Sequence, residues 1–150
     1  MKLWALFVVG AVISWAVYVP MIHQGQALLG KSPLRAFLCV GIAYFLTAIV
    51  VPGAILLTKG EAGAFNTRGV GFSFAAGVAG AAGALCVILS LKFGAKPIYV
   101  APLVFAGAPI INTLITIAWH PPKDAPNPIF YVGILLAAAG AGIVLWFKPT

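Results

Sequence analysis

Acidic residues are almost absent from this sequence: its 150 residues include two, Glu61 and Asp124, against nine lysines and arginines. Charged residues of either sign make up 7% of the chain, whereas about 25% of the residues of a soluble globular domain are charged. A chain with so few polar side chains cannot cover a soluble fold in water. The composition therefore excludes a separate soluble domain.

Cysteine and histidine are equally scarce, with two residues of each. Cys39 and Cys86 lie within apolar stretches, where a small packing residue is expected rather than a disulfide framework or a metal ligand. His23 and His120 have no His, Cys or acidic residue at the spacing of metal ligands. Because the apolar stretches also hold no acid, no His and no nucleophile beside a base, the sequence predicts no catalytic residue, no metal and no cofactor.

Apolar sequence fills the chain instead, in five stretches that are each long enough to cross a bilayer. A helix of roughly 20 residues rises about 30 Å, which matches the thickness of the hydrocarbon core. The sequence therefore predicts an all-α, integral, multi-pass membrane protein, with a single five-helix transmembrane domain over residues 1–150. The five helices are expected at residues 3–22, 34–57, 70–91, 97–119 and 129–147. The first is too long for the apolar region of a signal peptide and is expected to be retained.

The basic residues are scattered in ones and twos at the ends of these stretches. Such placement is typical of side chains that reach lipid headgroups, so the net charge of +7 does not predict nucleic-acid binding. Five crossings put four basic residues on one side of the membrane (Lys2, Lys59, Arg68 and Lys123) and five on the other (Lys31, Arg35, Lys92, Lys96 and Lys148). The positive-inside rule consequently gives no clear orientation.

The fourth stretch has the most polar face. Pro102, Ala106, Pro109, Asn112, Thr113 and Thr116 recur at steps of three and four residues and so share one side of a helix. Such a face must look into protein or water rather than lipid. Pro109 and Asn112 are candidate lining residues of a solute cavity. The alternative is structural: an interhelical hydrogen bond from Asn112, with both threonines bonded back to their own helix.

Three more residues are weaker candidates for solute binding. Trp15 and Tyr18 carry aromatic rings, with a hydroxyl on Tyr18, that can stack on and hydrogen-bond to organic solutes. An interfacial aromatic belt explains them equally simply. Arg35, near the start of the second helix, can bind an anionic group or extend to the lipid headgroups.

Small residues recur at four-residue spacing in the third and fifth stretches, as Ala76, Gly80 and Ala84 and as Gly133, Ala137 and Ala141. Small residues at this spacing let helix backbones approach closely in a membrane. Both helices are therefore expected to pack tightly. Their partners can lie in the same chain or in another one.

Several segments resemble the EamA-type repeat of the drug/metabolite transporter superfamily. Trp15 to Gly25 (WAVYVPMIHQG) and Ser32 to Phe37 (SPLRAF) are similar to its first two helices. Gly83 to Thr113, which includes LKFGAKPIYVAPLVFAGAPIINT, resembles its third and fourth helices. Gly133 to Leu145 (GILLAAAGAGIVL) resembles its closing helix.

This resemblance implies a small-solute or metabolite transporter of the cell (inner) membrane that works by alternating access about a midplane cavity. Full-length members carry two inverted repeats, whereas this chain has one, which implies a homodimer, with antiparallel insertion of its copies as the simplest arrangement. Small multidrug-resistance relatives carry a glutamate in their first helix, which is absent here. The alternative function is a non-transporting membrane assembly subunit or scaffold that holds a partner through its Gly/Ala faces.

Overall fold

The structure is a computed structural model that describes residues 3–60, 63 and 65–149. It confirms the all-α class, and five helices are long and apolar enough to cross a membrane, as in an integral multi-pass membrane protein. They are α1 (Leu3–Leu28), α2 (Pro33–Lys59), α3 (Thr67–Lys92), α4 (Pro97–Trp119) and α5 (Pro128–Trp146).

Helix starts follow from local capping. Ser32 precedes α2, and its Oγ accepts a hydrogen bond of 3.4 Å from the backbone N–H of Arg35, while Pro33 occupies the first helical position. Asn66 caps α3 through a 2.7 Å bond from the backbone N–H of Gly69 to Asn66 Oδ1. These side chains satisfy amides that have no partner inside the helix. The helix α2 thus begins at Pro33, one residue before the start at residue 34 that the sequence predicts.

The helix α1 extends beyond its predicted end at residue 22. It continues through Pro20 and the polar turn that follows, and it ends at Leu28. Gly30 and Lys31 then have φ values of 71° and 58°, and the backbone N–H of Lys31 donates to Gln26 O at 2.9 Å. This left-handed end closes the helix. Backbone hydrogen bonding therefore decides the end of α1, not the loss of hydropathy after residue 22.

The helix α2 contains one wider turn, a π-helical segment at Leu46–Val50. Pro52 lies two residues after this segment, and in a regular α-helix its ring would clash with the carbonyl of Ala48. A π-turn widens the helix at this point and accommodates the proline. Thr47 Oγ1 donates to Ala43 O at 2.9 Å within the same region.

The chain divides into two compact units, Met1–Gly94 and Ala95–Thr150, and each is described by itself. In the first unit α1, α2 and α3 all contact one another. The side chains buried there come from the second half of α1, the start of α2 and the second half of α3: Val19, Ile22, Gln26, Pro33, Ala36, Ala84, Val87, Ile88 and Leu91. The three helices therefore form their core at one end. In the second unit α4 packs against α5.

The small-residue faces are only partly covered. Ala84 in α3 is buried, as predicted. A Cβ atom built at Gly80 or at Gly133 would have no neighbouring atom within 4 Å among the described residues. Ala137 is exposed and Ala141 is half-buried. Tight packing is confirmed at Ala84, while the rest of both faces is open to lipid or to a partner.

Candidate functional site

The second unit holds a cavity of about 420 Å³ at the end where α4 connects to α5. Three segments of the chain line it: the C-terminal part of α4, the proline-rich connection and the first turn of α5. Its lining residues are Asn112, Thr113, Thr116, Ile117, His120, Pro122, Asp124, Pro126 and Phe130. Three residues of the polar stripe predicted for the fourth helix, Asn112, Thr113 and Thr116, thus line this cavity.

Of the residues predicted to bind solute, Asn112 is the one that lines this cavity. It lies seven residues before Trp119, the last residue of α4, which puts it about 10 Å into the helix from that end. The cavity therefore extends from the C-terminal end of α4 at least as far as Asn112. Within the described part of the chain, no residue hydrogen-bonds to the Asn112 side chain. Its amide can offer two donors and an acceptor to a solute.

Pro109 is not among the residues that line the cavity, but it contacts one of them. Its carbonyl accepts a 2.8 Å hydrogen bond from Thr113 Oγ1. Thr113 is therefore bonded back to its own helix, as the structural alternative predicted for this residue. Pro109 has no backbone N–H and lies inside α4, so it cannot donate the helical hydrogen bond that a non-proline residue would make at this position.

The connection brings two polar residues to the cavity that sequence reasoning missed. His120 was interpreted as an interfacial side chain, and Asp124 received no role. The His120 backbone N–H donates to Thr116 O at 2.7 Å, and Asn127 Oδ1 caps α5 by accepting from the N–H of Ile129 at 2.9 Å. Together with the prolines of this segment, these bonds fold the connection over the end of α4. One feature of the sequence could have indicated Asp124: it is one of only two acids in the chain.

Trp15 and Tyr18 lie at a second, smaller cavity in the first unit. This cavity of about 210 Å³ is lined by Ser14, Trp15, Tyr18 and Tyr44. The Trp15 and Tyr18 rings meet edge to face, with centroids 5.4 Å apart and planes at 61°. The Tyr18 hydroxyl is buried without a hydrogen-bond partner among the described residues. Tyr44 was missed, because nothing in the sequence indicates that α2 brings it beside Tyr18.

Arg35 lines neither of these cavities. Its side chain is exposed in the first turn of α2, and a Cβ atom built at Gly30 would lie 3.7 Å from Arg35 Nη1. The guanidinium group thus lies over the turn between α1 and α2. This position fits a contact with headgroups or with an anion at the membrane surface.

Among the described residues, no group of three His, Cys, Asp or Glu side chains is placed to hold a metal ion. Comparisons of the chain with protein-family models, curated proteins and solved structures found no match. The resemblance to the EamA-type repeat therefore stays a prediction that rests on the quoted segments.

Proposed function

We propose that this protein transports small organic solutes or metabolites across the membrane, as a dimer that works by alternating access. The observation that carries the proposal is the cavity between α4 and α5, with the unpaired Asn112 amide on its wall. Membrane helices rarely expose such a group to lipid, since an unsatisfied polar group in hydrocarbon costs several kcal/mol, on the order of 2–7. A polar solute that enters the cavity would supply the missing partner.

The lining suits an uncharged or cationic organic solute, because Asp124 is the one acid among the residues that line the cavity. Asn112 and Thr116 provide polar groups, while Ile117 and Phe130 provide apolar surface. This mixture, and the volume of about 420 Å³, match small-molecule pockets, which are mostly apolar, hold a few polar groups and measure roughly 300–1,000 Å³. No lysine or arginine is among the residues that line the cavity.

The dimer is proposed because one EamA-type repeat supplies half of an inverted pair. Two copies inserted in opposite directions would reproduce the pair, with a solute path between them. The distribution of basic residues, four against five across the membrane, supports insertion in both directions. Trp15, Tyr18 and Arg35 are proposed to contact the solute at other stages of its path. The proposed location is the inner membrane of the cell.

The spans carry no carboxylate, so solute movement is proposed to proceed without a proton switch on an intramembrane acid. The two acids of the chain, at positions 61 and 124, lie outside the five apolar stretches of the sequence. Transport of the solute down its own gradient needs no such acid. Coupling to an ion through a group other than a carboxylate needs none either.

A ligand screen on the reconstituted protein tests the proposal. We expect at least one class of small polar organic solute to raise the unfolding temperature of the wild-type chain, because a ligand at 100 times its Kd stabilises a protein by about 2.7 kcal/mol. The same solute should be taken up by vesicles that contain the protein and not by empty vesicles. If no solute class binds, and a distinct membrane protein co-purifies in fixed stoichiometry, the proposal is wrong.

That result would favour the second candidate, a membrane assembly subunit. The observation behind it is the uncovered small-residue faces at Gly80 in α3 and Gly133 in α5, which leave room for a partner helix.

A further inference from the structure

The last turn of α1 holds a buried polar side chain, and one of its polar atoms has no hydrogen-bond partner among the described residues. Gln26 is 4% exposed, and it is the buried polar residue of the first unit. Its Oε1 atom has no hydrogen-bond partner among the described residues. Leaving a buried acceptor unsatisfied costs about 1–3 kcal/mol. A ligand that hydrogen-bonds to this amide would remove the cost.

Gln26 faces a cavity of about 230 Å³ between the ends of α1 and α3. His23, Ala27, Lys31, Leu91 and Lys92 complete its lining. The cavity is smaller than the roughly 300–1,000 Å³ typical of pockets for drug-sized ligands. It therefore suits a compact polar group.

The backbone holds Lys31 beside Gln26. Gly30 and Lys31 adopt positive φ values, and the Lys31 N–H donates to Gln26 O at 2.9 Å. Lys92 is the last residue of α3, and its Nζ lies 5.9 Å from the centroid of the Phe93 ring. Lys31 thus lies in the turn that follows α1, and Lys92 lies at the C-terminal end of α3.

The charge of this cavity is uniformly positive. Lys31 and Lys92 line it, and no acidic residue does. Glu61 is the only acid in the sequence of the first unit, and it lies outside the described residues. Lysines at helix C-termini also interact favourably with the free carbonyls there. That interaction explains two lysines, but it does not explain a buried amide with an unpaired atom between them.

We propose that the cavity binds a phosphate group with a neighbouring hydroxyl, as in the headgroup of an anionic glycerol-type lipid. Lys31 and Lys92 contact the phosphate, and the Gln26 amide contacts the hydroxyl. A hydroxyl fits an amide that lines the cavity, because it can accept from the amide nitrogen and, once the amide turns toward it, can donate to the oxygen. Basic pockets between transmembrane helices are a recognised mode of anionic headgroup binding. Soluble glycerol phosphate shares this chemistry, so the test has to separate the two sources.

The test measures lipid binding to the full chain in phosphatidylcholine nanodiscs with added phosphatidylglycerol or phosphatidylmethanol. These two lipids carry the same charge, but only phosphatidylglycerol has headgroup hydroxyls. We expect phosphatidylglycerol to bind more tightly and to raise the unfolding temperature. Lys31→Gln combined with Lys92→Gln should weaken its binding about 10–30-fold, because each lysine near an anionic surface contributes about 1 kcal/mol. Gln26→Leu should abolish the preference for phosphatidylglycerol over phosphatidylmethanol.

Two control variants separate this site from a general effect of charge. Lys59→Gln removes a lysine at the far end of α2 and should leave phosphatidylglycerol binding unchanged. Lys31→Arg with Lys92→Arg keeps both charges and should retain binding, which shows that the paired positions tolerate substitution. Glycerol 3-phosphate and inorganic phosphate are tested as competitors in the same assay. If glycerol 3-phosphate competes at a concentration equal to that of phosphatidylglycerol, the site is assigned to a soluble phosphate ester.

Equal binding of phosphatidylglycerol and phosphatidylcholine would overturn the proposal. So would a loss in Lys59→Gln as large as that in the double lysine variant, or an unchanged hydroxyl preference in Gln26→Leu. All of these readouts report binding alone, so they do not depend on the proposed transport.

Discussion

Replacing Asn112 by alanine is expected to reduce solute uptake about 10–100-fold. The substitution removes the amide from the wall of the α4–α5 cavity. A hydrogen bond that a bound solute loses costs about 1–3 kcal/mol when the solute group is left without a partner, which corresponds to about one to two powers of ten in affinity. Initial uptake rates at low solute concentration, measured in vesicles with the solute found by the ligand screen, check this expectation.

Thr113→Val is the matched control for that substitution. Thr113 also lines the cavity, but its hydroxyl already donates to Pro109 O at 2.8 Å. Removing this hydroxyl should therefore change uptake by less than about threefold, because it breaks a bond within the helix rather than one to the solute. If Asn112→Ala folds normally and leaves both binding and uptake untouched, the assignment of the cavity is wrong.

Reporters fused to both termini and to the connection between α2 and α3 are expected to find the chain in two opposite orientations in comparable amounts. The basic residues number four on one side and five on the other, so the charge bias that normally orients a membrane protein is nearly zero. A single fixed orientation would contradict antiparallel dimerisation and leave a parallel dimer or a partner subunit.

Variants with a forced orientation extend this test to function. Lys2→Gln with Lys59→Gln leaves two basic residues against five, counted from the sequence. Lys96→Gln and Lys148→Gln with Gly63→Lys gives five against three. Each variant alone should insert in one direction and lose most of its uptake, and co-expression of the two should restore it. Full uptake by either variant alone would contradict the antiparallel model.

The sequence predicted the helices well because composition alone decides which segments enter a membrane. It predicted the ends less well, since these depend on local hydrogen bonding. The start of α2 was readable because Ser32 and Pro33 carry their own capping chemistry. The end of α1 was not, because the helix continues past the apolar run until Gly30 and Lys31 turn the chain.

The candidate site was predictable to the extent that it lies on one helix. Helical spacing placed Asn112, Thr113 and Thr116 on a common face, and these residues lie together in the structure. Residues that depend on tertiary packing were missed. Asp124 reaches the cavity through the fold of the connection, and the burial of Gln26 depends on how α1 packs in the first unit, which periodicity does not report.

The most direct test of the central claim is to block the α4–α5 cavity covalently while solute uptake is measured. In a chain with Cys39→Ala and Cys86→Ala, a Thr116→Cys substitution places one thiol on the cavity wall, and Lys59→Cys provides a labelled control away from it. We predict that a water-soluble thiol reagent stops uptake in the Thr116→Cys chain, that the solute slows this labelling, and that the control is unaffected. Full labelling at position 116 with undiminished uptake would contradict the account.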